Sequence, residues 1–242
     1  HHILEQFGTA GQEKLNAAHI AVIGAGGLGS ASLSYLAAAG VGHLTLIDSD
    51  RVDLSNLQRQ ILHEEGDVGR LKVDSAADRL EELNPECTIT THAQRLEENN
   101  ATELLAGHDL ILDGSDNFVT RLLVNRTCYA LRIPLISAAA IGWQAQLSTF
   151  KAYLGEPHPC YQCFVSEQPA EARTCSDSGV LGPLVGIAGS WQAAEAIKEV
   201  LALPESLSGK ILRIDLLTNR LHFSTLKRDS QCACCGKRAS GV

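Results

Sequence analysis

The sequence predicts an α/β fold: a Rossmann-like, mostly parallel sheet flanked by helices, with a C-terminal antiparallel extension and a four-cysteine zinc knuckle. Three observations carry that expectation. Strand and helix patterns alternate through the first half. A glycine-rich turn joins the first strand to the helix behind it. Two C-x-x-C pairs lie in the second half.

The elements follow in chain order. His19–Ile23 is a short apolar strand that runs into Gly24-Ala-Gly-Gly-Leu-Gly29, and small and apolar residues from Ser30 to Ala39 make a helix closed by Gly40. His43–Ile47 is a second strand with Asp48 at its end. Residues 70–83 form an amphipathic helix stopped by Asn84-Pro85. Strands at Cys87–Thr91 and Asp109–Leu112 enclose a helix near 100–106; a helix from Asn117 to Arg132 precedes a strand at Pro134–Ala139. Such spacing makes parallel strands with right-handed crossovers. Beyond it, Gln146–Lys151 is a strand, and Gly155–Gly179 is a polar stretch too long for a simple connection. Leu184, Ile187, Ala188, Trp191, Ala194 and Leu201 keep a helical stripe, and Ile211–Leu216 with Leu221–Leu226 form a hairpin through Thr218-Asn219. The expected organisation is one domain over 1–242, with parts 1–140 and 141–242.

A chain of 242 residues, 45% hydrophobic and 20% charged, buries a core without disulfides and is not a disordered chain. Its formal charge of −8 argues against nucleic acid as a ligand, and no apolar run reaches the roughly 20 residues of a membrane span. No signal-peptide pattern opens it, so a cytoplasmic location and no membrane partner are expected. The absence of methionine leads to the expectation that the start is incomplete or altered.

Gly24, Gly26, Gly27 and Gly29 after a strand and before a helix form the fingerprint of an adenine-nucleotide loop. The glycines let the backbone turn tightly and let phosphate approach a helix N-terminus. Asp48, 19 residues beyond Gly29, is placed to accept hydrogen bonds from ribose hydroxyls. The next polar groups choose between NAD and ATP. Asn56, Arg59, Gln60, Lys72, Asp116 and Asn117 all follow strand ends. Two cations and an extra acid suit a triphosphate with Mg²⁺, held by Asp116, rather than a nicotinamide.

Eight cysteines without a secretory signal point to metal or thiol chemistry. Cys160 and Cys163 pair with Cys232 and Cys235 across a gap of 68 residues, as a zinc clip joining distant segments. Cys234 lies inside the second knuckle and is an alternative ligand. Cys87 and Cys128 fill core positions. Cys175, in the polar stretch ahead of the long helix, is a candidate nucleophile, with an inert loop thiol as the alternative.

The glycine loop, Asp48, Asn56-Leu-Gln-Arg59, Lys72, Ser115-Asp-Asn117, the two C-x-x-C pairs and Thr174-Cys175, taken in this order, resemble the MoeB/ThiF family, bacterial relatives of ubiquitin-activating enzymes. The likeness spans essentially the whole chain. It implies an adenylyltransferase that uses ATP, Mg²⁺ and Zn²⁺ to adenylate the C-terminal Gly-Gly carboxylate of a small ubiquitin-like sulfur-carrier protein, with release of pyrophosphate ahead of thiocarboxylate formation. The carrier would be of the molybdopterin-synthase small-subunit (MoaD) type or the thiamine (ThiS) type, with residues 141–242 as the carrier-binding part. Arg59 and Lys72 would hold phosphates; Asn56 and Gln60 would orient the phosphates or the incoming tail; Cys175 matches the cysteine some members use covalently. The resemblance further implies a homodimer, and no rhodanese domain follows, so a separate sulfur donor of cysteine-desulfurase or rhodanese type is expected. One departure is that the family's N-terminal arginine has no counterpart here, its place being His1 or earlier. The competing readings are an NAD(P)-dependent oxidoreductase and a non-catalytic zinc-containing module that docks a carrier.

Overall fold

The computed structural model describes residues 1, 3–165 and 179–236. Its centre is an eight-stranded sheet with the order β3-β2-β1-β4-β5-β6-β7-β8. Strands β1 (His19–Ile23), β2 (His43–Ile47), β3 (Thr88–His92), β4 (Leu110–Asp113) and β5 (Leu135–Ile141) run parallel. Strands β6 (Gln144–Phe150), β7 (Lys210–Asp215) and β8 (Arg220–Thr225) add antiparallel. In the parallel strands β1, β2 and β4 nearly every residue is buried, as helices on both faces require.

Helices α1 (Gly8–Ala17), α2 (Gly27–Ala39), α3 (Lys72–Leu83) and the long α7 (Gly182–Val200) share one apolar core, which includes Leu15, Leu33, Leu36, Val73, Leu80, Leu184 and Ala188. Helices α4 (Ala101–Leu105), α5 (Phe118–Leu131) and the single turn α6 (Tyr161–Phe164) cover the other face with Leu105, Leu123, Val124 and Tyr161. The expected three-layer arrangement is therefore present.

Four differences from the sequence expectation have physical causes. The first helix, α1, has a weak apolar pattern, only Gly11 and Leu15 being buried, and its order comes from tertiary contact. Helix α2 begins at Gly27 rather than Ser30, so the last glycine of the loop belongs to its first turn. Strands β5 and β6 form a continuous hairpin through Gly142 (φ +56°) and Trp143, longer at the turn than their apolar runs suggest. Short 3₁₀ turns at Leu54–Asn56 and Glu65–Asp67 shape the segment between β2 and α3. The β7–β8 hairpin is as expected, with Asn219 taking the left-handed conformation (φ +54°) that its short polar side chain tolerates.

Candidate nucleotide and metal sites

Strand order reverses between β1 and β4, and the crevice at the carboxyl ends of these strands is where open α/β sheets bind ligands. A cavity of about 320 Å³ opens there. Gly24, Gly26, Gly27, Asp48, Arg59, Gln60, Lys72, Asp116 and Asn117 all line it. The structure thus brings together residues spread over almost a hundred positions.

Each is placed by a local cause. Gly24 has φ +92°, which an L side chain rarely adopts. A Cβ at Gly29 would lie 2.0 Å from the Gly24 carbonyl oxygen, so this position admits only glycine. Gly29 thereby lets the loop fold back on α2 and does not itself line the cavity. Helix α2 starts without a side-chain cap, leaving first-turn N–H groups for a ligand. Behind the loop, His63 is buried between the Ala25 carbonyl (Nε2, 2.9 Å) and the Ser75 hydroxyl (Nδ1, 2.8 Å). Since a carbonyl only accepts, Nε2 carries the proton, and burial pushes the His63 pKa down, keeping the ring neutral.

Asp48 accepts from the Ala25 N–H (2.8 Å) and from the Asp50 N–H (2.8 Å), which fixes its carboxylate at the end of β2. Lys72 opens α3 almost fully buried, its Nζ 2.9 Å from Asp50, itself mostly exposed. Arg59 is half-buried and donates to the Ser55 carbonyl at 3.3 Å. Asn56 is half-buried beside it but is not part of the cavity wall. Asn117 accepts from the Thr120 N–H at 2.9 Å and so caps α5, while Asp116 before it is exposed on the rim. Two buried polar atoms of the lining, Gln60 Oε1 and Ser115 Oγ, have no hydrogen-bond partner among the described residues. Orphaned groups in a polar cleft fit a ligand that supplies the missing partners.

Sequence reasoning missed several lining residues. Asp50, Gln94 and Arg95 enter from the segments after β2 and β3, and Arg121 from the first turns of α5. Arg121 stands four residues past Asn117, at the end of the Ser-Asp-Asn motif, a helical spacing that could have drawn attention to it. Asp116, Arg121 and Ala140 also border a second cavity of about 800 Å³. That groove crosses the antiparallel strands past Gln144, Arg213, Arg220 and His222.

The sulfur atoms of Cys160, Cys163, Cys232 and Cys235 all lie within 4.8 Å of one another. Three of the edges are 3.5 Å (Cys160–Cys232), 3.4 Å (Cys163–Cys235) and 3.8 Å (Cys160–Cys163). A tetrahedral site with zinc–sulfur bonds of about 2.3 Å has sulfur–sulfur edges of about 3.8 Å. The donor set and its size fit zinc. Hydrogen bonds from Cys163, Cys234 and Cys235 hold the Cys160 thiol well below its ordinary pKa, and the same bonds push those three thiols up. Cys234 is buried beside this group, its sulfur accepting from Asn125 Nδ2 at 3.3 Å, and is not one of the four converging ligands. Burial pushes the core thiol of Cys87 up to about 11 and that of Cys128 higher still, so neither is poised to react. Cys175 and the part of the polar stretch around it, residues 166–178, lie outside the described residues. Among those described, no helix is long and apolar enough to cross a membrane.

Known proteins similar to this chain share one kind of activity in their names. A molybdopterin-synthase adenylyltransferase of Salmonella typhimurium is 45% identical over 97% of this chain and 94% of its own. A sulfur carrier protein adenylyltransferase of Thermus thermophilus is 41% identical over 97% of this chain and 88% of its own. A crystal structure of E. coli MccB with ATP superposes with a TM-score of 0.80 at 25% identity, covering 93% of this chain and 69% of that one. With the sheet order, the glycine loop and the thiol cluster in place, and with residues 1–234 matching the description ThiF family, the chain belongs to the ThiF family.

Proposed function

We propose that this chain, an adenylyltransferase, uses ATP to adenylate the C-terminal carboxylate of a sulfur-carrier protein of the MoaD type. The observation that carries this reading is one cavity that gathers the glycine loop, Asp48, Arg59, Lys72 and Asp116 and continues at Asp116 and Arg121 into a larger groove. A nucleotide fits the first, and an extended peptide tail the second. The identity to the Salmonella relative favours a molybdopterin-type carrier over a thiamine-type one.

In the reaction a carboxylate oxygen of the carrier bonds to the α-phosphorus, and the bond from that phosphorus to the oxygen bridging the β-phosphate breaks. The electron pair leaves with pyrophosphate. The nucleophile is already ionised at neutral pH, so no base is needed; the obstacle is charge. Two like unit charges 4 Å apart repel by about 4 kcal/mol at an effective dielectric of 20. Arg59 and Lys72 offset that repulsion, and Asp50 keeps the Lys72 ammonium paired until phosphate arrives. Asp48 holds the ribose, and Gln60 and the first turn of α2 meet the phosphates. Asp116 would hold Mg²⁺, which would supply charge neutralisation at the phosphates. Cys160, Cys163, Cys232 and Cys235 would hold zinc, which would fasten the C-terminal segment to α6. A separate protein then delivers sulfur to the acyl adenylate.

The same lining weighs against a nicotinamide, since Arg59, Lys72 and Arg95 suit a polyanion and Asp116 suits a cation bound to it. The test is incubation of the purified protein with Mg-ATP and each candidate carrier, followed by mass spectrometry of the carrier. The MoaD-type carrier is expected to gain one AMP, and pyrophosphate to form in equal amount. No AMP on any carrier would overturn the reading.

A further inference from the structure

The nucleotide site and the thiol cluster share one helix. On α5, Arg121 and Asn125 lie one turn apart on its buried face and look toward opposite ends of the same network. Arg121 grips the Ser115 carbonyl twice, from Nε at 3.1 Å and from Nη2 at 2.6 Å. That carbonyl belongs to the residue directly before Asp116. Asn125, only 2% exposed, uses both ends of its amide on the knuckle: Oδ1 accepts from the Tyr161 N–H at 2.8 Å, and Nδ2 donates to Cys234 Sγ at 3.3 Å. Tyr161, next to the ligand Cys160, closes the circuit. Its hydroxyl is buried beside the Arg121 guanidinium yet has no well-formed hydrogen bond among the described residues. Beneath the loop lies Asp113, wholly buried, accepting from the Ser115 N–H at 2.9 Å.

Resting on the adenylation reading above, we infer that Arg121 and Asn125 are positioning residues that fasten the Ser115–Asn117 loop to the four-cysteine knuckle, so that filling the thiolate site sets the placement of Asp116. Four thiolates drawn onto one ion fix Cys160 relative to Cys232 and Cys235, and with them the Cys234 that lies between those two in the chain; through Asn125 and Tyr161 this fixes the rotation of α5. Arg121, carried on that helix, then holds the Ser115 carbonyl and with it the rim. With the site empty, the four sulfurs are no longer drawn together and the loop loses its brace. The knuckle, on this view, regulates the reaction as well as joining two segments.

The test compares wild-type holoprotein, the same protein after removal of its knuckle metal with a chelator, and Arg121→Lys. The lysine variant keeps a cation above Asp113 but cannot make the double contact to Ser115. Hydrogen–deuterium exchange of residues 113–120 and the Mg²⁺ dependence of ATP binding and of carrier-dependent pyrophosphate–ATP exchange are measured. Chelation is expected to speed amide exchange over 113–120 and to raise the Mg²⁺ needed for half-maximal ATP binding about tenfold. Arg121→Lys should do the same with its knuckle metal and melting temperature retained, lowering kcat while KM for ATP at saturating Mg²⁺ stays within about twofold. If chelation unfolds the protein, Arg121→Lys decides alone. Wild-type amide exchange and Mg²⁺ dependence in Arg121→Lys would refute the coupling and leave adenylation untouched; no wild-type adenylation with any carrier would sink the underlying reading instead.

Discussion

Asp116 is exposed and forms no ion pair among the described residues, whereas the residues on either side of it are engaged in holding the loop, Ser115 through its backbone and Asn117 as the cap of α5. Truncating an exposed side chain that supports nothing changes stability by roughly 0.5 kcal/mol at most. Asp116→Ala is therefore expected to abolish carrier-dependent pyrophosphate–ATP exchange with an unchanged melting temperature, and exchange at the wild-type rate would remove Asp116 from the chemistry. At this scale the glycine loop and the chemically distinctive side chains of the cavity lining were legible in the sequence. Asp48, Arg59, Gln60 and Lys72 are chemically conspicuous and stand at fixed offsets from strand ends. Arg95 and Asp50 were not legible, because nothing in their local patterns separates a lining residue from a solvated one. Arg121 is a different case: its partners Ser115 and Tyr161 are visible only when the chain is folded.

The elements owe their precision to close packing as much as to pattern. Helix α7 approaches α2 so tightly that a Cβ at Gly189 would lie 2.3 Å from the Leu28 carbonyl oxygen. Its Gln192, 1% exposed, donates to the Asp113 and Ile136 carbonyls at 3.0 and 3.1 Å and so ties the ends of β4 and β5. The apolar stripe announced α7, but no local pattern marks Gln192 as buried. The knuckle is the other element whose stability has a single origin. Its small satellite core holds Ala152, Cys160, Cys232, Cys234 and Cys235, with Tyr129 and Cys163 packed against it. So small a core would draw its stability from an ion held by the four thiolates. Replacing Cys160 or Cys163 by Ser should release zinc, measured as metal content, and lower the melting temperature by about 5 °C or more, given roughly 2–4 °C per kcal/mol in a chain of this size. Unchanged metal content after either replacement would refute the clip.

Across the whole molecule, buried histidines make the fold sensitive to acid. Burial pushes His19 down to about 4, helped by His108 and His43 close by, with Asp109 opposing; burial likewise lowers His63 and His108. His19 stacks on His43 at 3.8 Å and tilts against His108 at 4.2 Å, at the sheet end opposite the nucleotide crevice. Each of the lowered groups is neutral when folded at neutral pH and binds a proton near pH 6.5 when unfolded, so its contribution is complete above pH 6.5 and is lost as the pH falls below it, for His19 down to about 4. The melting temperature should decline steadily between about pH 6.5 and 4.5, and a flat profile over that interval would contradict the assignment. The order of strands and helices, the nucleotide loop and the two cysteine pairs were determined by the sequence alone, since each depends on residues close together in the chain or on a donor type that has few other uses. Tertiary structure alone decided which polar residue meets which: the pairing of Lys72 with Asp50, the grip of Arg121 on Ser115, and the joining of two knuckles through Asn125. Those contacts span elements whose relative placement follows from packing the two faces of the sheet, and no local pattern encodes that placement.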